Sequence, residues 1–270
     1  MRSVADSSCR RGFSLVGILI SMGIMVVLFA ILMTSLNKAV TGQGSAVQGT
    51  VRSTQDEWYL KALFDSMFAS AGDNRGRFLT PSDLTGSNDV SENTTANLFS
   101  AMVADNYTNC HQLISGNEYS GWVQEKTDYN SAAYNPAQKT YWDKTFVADL
   151  ADLSNTSFAH EPLFGERFEH HWQNELSSTF PIIGNRGPKD GADNPQSLTY
   201  GRNGQWGGHV AFGDGHVTYI SSFTPGLSFS QNGETYQDNI FKMDGGAKGG
   251  DAVLAFTQKM SKQGPTLQWD

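Results

Sequence analysis

FSLVGILISMGIMVVLFAILMTSL, residues 13–36, is the stretch on which the fold turns. It runs 24 residues without a formal charge, and 18 of them are Ala, Val, Ile, Leu, Met or Phe. At 1.5 Å rise per residue, a helix of this segment would be roughly 36 Å long, enough to cross a hydrocarbon core of about 30 Å with some tilt. Its apolar residues lie all round such a helix rather than along one stripe, as a lipid-facing span requires. The sequence therefore predicts a transmembrane helix over Phe13–Leu36.

Ahead of this run stand Arg2, Arg10 and Arg11 against Asp6, a local charge of +2 (three minus one); beyond it, Lys38, Arg52 and Lys61 are offset by Asp56 and Glu57. By the positive-inside tendency, residues 1–12 face the cytoplasm and the remainder lies outside. The apolar run exceeds that of a secretory signal peptide and exits through Leu36-Asn37-Lys38 rather than a small-residue cleavage site. Cys9 precedes the run, so it is not placed like a lipoprotein cysteine.

Arg10-Arg11-Gly12-Phe13-Ser14-Leu15-Val16, running straight into the apolar segment, resembles the class III signal of type IV pilins and type II secretion pseudopilins. The resemblance covers about residues 9–36. It implies a prepilin peptidase that cuts between Gly12 and Phe13 and methylates the new N-terminus at Phe13. A glycine before the cut suits a protease that must approach extended backbone closely. The fifth residue after the cut is usually Glu in that family, and here it is Gly17. That Glu is understood to pair with a neighbour's N-terminal amine, so its absence implies either a tip-like minor subunit or a protein processed without entering a regular filament. The resemblance further implies pilin or pseudopilin subunits, an assembly platform and membrane lipid as partners.

The organisation expected from this reading is a cytoplasmic leader at 1–12, the span at 13–36, an outer stalk helix at 37–72 and an exported head at 73–270. The fold class is α+β, a long N-terminal helix, transmembrane in its first half, packed on an antiparallel, loop-rich head. Gly42, Gly44 and Gly49 lower helix propensity between Thr41 and Ser53, where a bend is expected. Trp58, Leu63, Met67 and Ala71, with Leu60, Phe64 and Phe68 beside them, recur at three and four. A short helix is read around Asn97–Ala104, and strands at Gly121–Val123, Ser157–Ala159, Phe180–Ile183 and Ser197–Tyr200. In His209–Ile220, Asp214-Gly215 reads as a two-residue type I′ hairpin turn that sets Phe212 opposite Val217 and Val210 opposite Tyr219.

That hairpin is also similar to the C-terminal motif of a bacterial pilin-like family in which a His precedes Asp-Gly by ten residues. Position ten before Asp214 is Gly204, so the match is partial.

Chemistry is sparse. His160, Glu161, Glu166, Glu169, His170 and His171 cluster in sequence, but adjacent histidines point apart, and the two-His helical zinc spacing is missing. Asp244-Gly245-Gly246-Ala247-Lys248-Gly249-Gly250-Asp251 lacks the Gly-Lys-Ser/Thr ending of a phosphate loop. It reads as a flexible turn, with Asp238, Asp244 and Asp251 as the carboxylates of a candidate calcium loop. No nucleophile elbow or Cys-x-x-Cys pair occurs, so neither catalysis nor a resident cofactor is expected. Asn93, Asn106 and Asn155 fit the glycosylation triplet.

The net charge of -8 over 270 residues divides into the leader's +2 and -10 for the rest. Such an acidic chain lacks the basic footprint of a nucleic-acid binder. Removal of the leader takes Cys9 with it and leaves Cys110 alone.

Overall fold

The computed structural model describes residues 44–192 and 206–270. Backbone contacts divide the chain into Met1–Val51 and Arg52–Asp270. Only the opening of one helix is described in the first unit.

That helix, α1, spans Gly44–Asp73. It passes through Gly49 without the expected break, because a glycine costs a helix only about 1 kcal/mol. Leu60, Leu63, Phe64, Met67 and Ala71 fall on one face and are buried. Trp58 and Phe68, both expected on that face from their spacing, are 69% and 40% exposed, so the apolar stripe is narrower than the spacing suggests. The helix ends where Arg75 and Gly76 take positive φ and the Gly76 N–H returns to the Ala71 carbonyl at 2.8 Å.

The expected fold, a long N-terminal helix with a transmembrane first half packed on the head, is not supported. Among the described residues, no helix is long and apolar enough to cross a membrane. Helix α1 is long enough, but Arg52, Asp56, Glu57, Lys61, Asp65 and Asp73 punctuate it, and such charges are costly in hydrocarbon. Residues 13–36 and the leader lie outside the described residues.

Three short helices follow: α2 (Pro81–Thr85), α3 (Thr95–Ala104) and α4 (Gly165–His171). Helix α3 begins two residues earlier than its periodicity indicated, because the Thr94 hydroxyl caps it by accepting from the Asn97 N–H. The main sheet is wholly antiparallel, in the order β1 (Phe158–His160), β2 (Pro181–Asn185), β3 (Gly208–Phe212), β4 (Val217–Ile220). Two further hairpins are β5 (Ser228–Gln231) with β6 (Glu234–Gln237), and β7 (Phe256–Ser261) with β8 (Gly264–Gln268). Val123, read as part of a strand, makes only an isolated parallel bridge to Ser154, and residues 197–200 lie outside the described ones.

Strand β3 is buried along its whole length because both sheet faces are covered. Ala211 joins the core that holds Leu60, Phe64, Phe99 and Trp172; Val210 joins the one that holds Trp206, Phe241 and Leu254. The β3–β4 register differs from the expected one by a single residue: Val210 faces Thr218 and His209 faces Tyr219. The loop has three residues rather than two. Gly215 alone takes positive φ, at 83°, and the Phe212 N–H bonds to the His216 carbonyl at 3.0 Å. Only one residue needs left-handed backbone in such a loop, whereas a type I′ turn needs two.

Candidate functional site

The feature that organises residues 160–171 and 238–254 is one buried arginine. Helix α4 presents Arg167 inward, and its side chain is inaccessible to solvent. Its guanidinium donates to the carbonyls of Gly246, Ala247 and Asp251, each at 3.0 Å, and to the Asp251 carboxylate. The planar five-donor fork suits such a set, since several acceptors at fixed angles can be met at once. Backbone bonds fasten the loop to the same helix: Glu166 N–H to the Lys248 carbonyl at 3.1 Å and Arg167 N–H to the Gly249 carbonyl at 3.3 Å.

Glycine is required here by close approach. A Cβ on Gly249 would lie 2.7 Å from a carboxylate oxygen of Asp251, and one on Gly165 would lie 2.6 Å from the Lys248 Cα. Gly165 also has φ +74°, where L side chains are strained. Gly165→Ala is therefore expected to lose about 2 kcal/mol of stability by urea unfolding. Gly72→Ala, with nothing within 4 Å of the new methyl, should match or slightly exceed the wild type. Equal midpoints for the two variants would remove the claim that the loop is pressed against α4.

Two more carboxyls surround the arginine. Glu161 Oε2 lies 4.0 Å from Arg167 Nε, while its Oε1 accepts the Val253 N–H at 2.9 Å. Asp238 Oδ2 accepts the Ala252 N–H at 2.8 Å. One oxygen of each of Glu161, Asp238 and Asp251 is buried without a hydrogen-bond partner. Three carboxyls thus share one guanidinium, and burial makes full ionisation costly. Burial raises the Glu161 carboxyl well above its usual range against the opposing pull of Arg167. Burial, aided by the charges of Asp251 and Asp244, raises Asp238 to about 7 despite the Ala252 N–H.

No family model, curated protein or solved structure matches this chain.

The candidate calcium carboxylates are neighbours, but each already has a partner. Asp251 is engaged by Arg167, Asp244 pairs with Lys242, and Asp238 binds the Ala252 N–H. Among the described residues, no group of three or more His, Cys, Asp or Glu side chains could hold a metal ion. Three loop carbonyls and the Asp251 carboxylate already receive a cation, and it is the Arg167 side chain.

The histidines also disperse. His160 is buried: its Nδ1–H donates to the Glu161 carbonyl at 2.7 Å, so its Nε2 accepts from the Thr95 hydroxyl at 2.8 Å. Burial lowers it to about 4, against the pull of that carbonyl bond. His171 stacks on Phe180 with centroids 3.6 Å apart and meets Glu175 at 2.5 Å. His209 is buried against Asp56 of α1 at 3.3 Å, whereas His216 stacks on Phe212 and meets Asp214. Of the glycosylation triplets, Asn93 and Asn155 are buried, accepting from the Ser82 and Val147 N–H groups.

Two grooves border the loop. One, of about 610 Å³, is lined by His170, His171, Phe180, Phe229 and Asp238 among others; the second, of about 300 Å³, includes Gln231, Asn232 and Lys248. Glu166 and Gly250 line both. Gly12, Phe13 and Gly17 lie outside the described residues.

Proposed function

We propose that the chain is a pilin-like subunit, a pseudopilin or minor pilin, cut by prepilin peptidase at Gly12 and held at the cytoplasmic membrane through its uncharged N-terminal segment. Its partners are the peptidase, other pilin or pseudopilin subunits, the assembly platform and membrane lipid. The observation that carries the reading is the order of features in residues 10–36: paired arginines, Gly12-Phe13, then 24 uncharged residues.

Intact-mass and N-terminal sequencing of the native protein test the proposal. The expected product begins at N-methylated Phe13, and Gly12→Val should leave the leader uncut. A mature chain that still begins at Met1 or Arg2 would refute it.

Gly17 favours a second reading, a membrane-held binding head of adhesin type that does not polymerise. A filament subunit is released with polymers on shearing, whereas an anchored head stays with the membrane fraction.

A further inference from the structure

We infer that the glycine-rich segment Asp244–Asp251 is a pH-operated latch on helix α4, closed through the Arg167–Asp251 pair while the neighbouring Glu161 and Asp238 keep their protons and released as those two carboxyls ionise. The geometry carries this. The Arg167 side chain reaches across the loop, taking three of its carbonyls and the Asp251 carboxylate. Glu161 and Asp238 then hold the following backbone through the Val253 and Ala252 N–H groups. With each of the three carboxyls burying one unpartnered oxygen, a second and third negative charge find no further donor.

The groups around Asp238 give the sign. The loop contributes Asp244 and Asp251, α4 contributes Arg167, and Glu166, His170 and His171 line the same groove. Lys242 is occupied by Asp244, and the exposed Lys248 lines the other groove. Ionising Asp238 therefore adds a negative charge beside two acidic neighbours, with Arg167 already committed to Asp251. In an opened loop the carboxyl returns to water and to its ordinary value near 4, so the closed loop holds the proton more tightly. Closure is favoured at low pH and weakened as pH rises through about 7. From Asp238 alone, the closed population should lose about tenfold in its equilibrium constant between pH 6 and pH 9, and Glu161 acts in the same direction. Because Gly250 lines both grooves and Lys248 the smaller one, release of the loop reshapes both.

Hydrogen exchange on the full chain tests the latch. After correction for intrinsic rates, amides of Gly249, Ala252 and Val253 should lose about tenfold or more protection between pH 6 and pH 9, and should open at a lower free energy than β3 amides throughout that range. Asp238→Asn, which retains the acceptor for the Ala252 N–H, should weaken that pH response. Loop protection that is constant with pH, or that equals the protection of β3 throughout, would overturn the proposal. Should the variant fail to fold, carboxyl carbon titration of the wild type decides: an Asp or Glu titrating near pH 7 supports the latch, and titration of every carboxyl below pH 5.5 refutes it.

Discussion

Arg167→Met is expected to destabilise the protein by about 4 kcal/mol, the range found when one partner of a buried ion pair is removed. Methionine keeps an unbranched apolar stem, so the change isolates the head group from most of the packing. What it leaves behind is severe. The Gly246, Ala247 and Asp251 carbonyls lose their guanidinium donor, and Glu161, Asp238 and Asp251 lose the cation they surround. Against a typical stability of about 5–15 kcal/mol, such a loss brings a domain near its unfolding threshold. Arg167→Lys should fall between, since one ammonium cannot span three carbonyls and a carboxylate. Adding Asp251→Asn to Arg167→Met should recover part of the loss by removing a stranded charge. Urea unfolding followed by tryptophan fluorescence measures all three, and a methionine variant within 1 kcal/mol of wild type would contradict the organising role of Arg167.

The arginine also shows where sequence reading runs out. Its acceptors lie about 80 residues downstream, at Gly246, Ala247 and Asp251, and no local period links such distant partners. The glycines were visible as a loop, but their cause was not: Gly249 is small because the Gly245 carbonyl and the Asp251 carboxylate press against it. Features set by short-range rules were legible. Leu60, Leu63, Phe64, Met67 and Ala71 declare a buried helix face by spacing, and the strands at Phe158 and Ile183 by their apolar runs. The Asp214-Gly215 pair announced a hairpin but not its register, because two- and three-residue loops both accept that dipeptide. Trp58 shows the limit of periodicity, for it lies at the margin of the stripe and only packing decides its exposure. The expected transmembrane architecture rested on residues 13–36 alone, and the polar helix α1 does not extend that pattern.

Asp238→Asn is expected to gain stability on the wild type as pH rises, by about 4 kcal/mol between pH 4 and pH 8. The sign follows from proton binding. Folded Asp238 keeps its proton to about 7, whereas the unfolded carboxyl releases it near 3.8. Between those values the native state binds more protons, so stability is full below about pH 4 and is lost as pH rises through 7. Glu161, also raised by burial, acts in the same direction. His160 acts in the opposite one. Neutral in the fold down to about 4 but protonated near 6.5 when unfolded, it contributes stability that is full above 6.5 and falls by about 3 kcal/mol as pH drops to 4. Burial raises Glu118 and Asp105 as well, so one histidine cannot offset the carboxyls and wild-type stability should decline from pH 4.5 to pH 6.5. In Asp238→Asn one of these carboxyl contributions is gone, and the decline should be shallower. Asp149, held low by the Gln268 side chain and the Ala151 N–H, acts only below this window. Unfolding free energies at half-unit pH steps test the pair of profiles, and parallel curves for wild type and variant would show that Asp238 is ionised in the fold throughout.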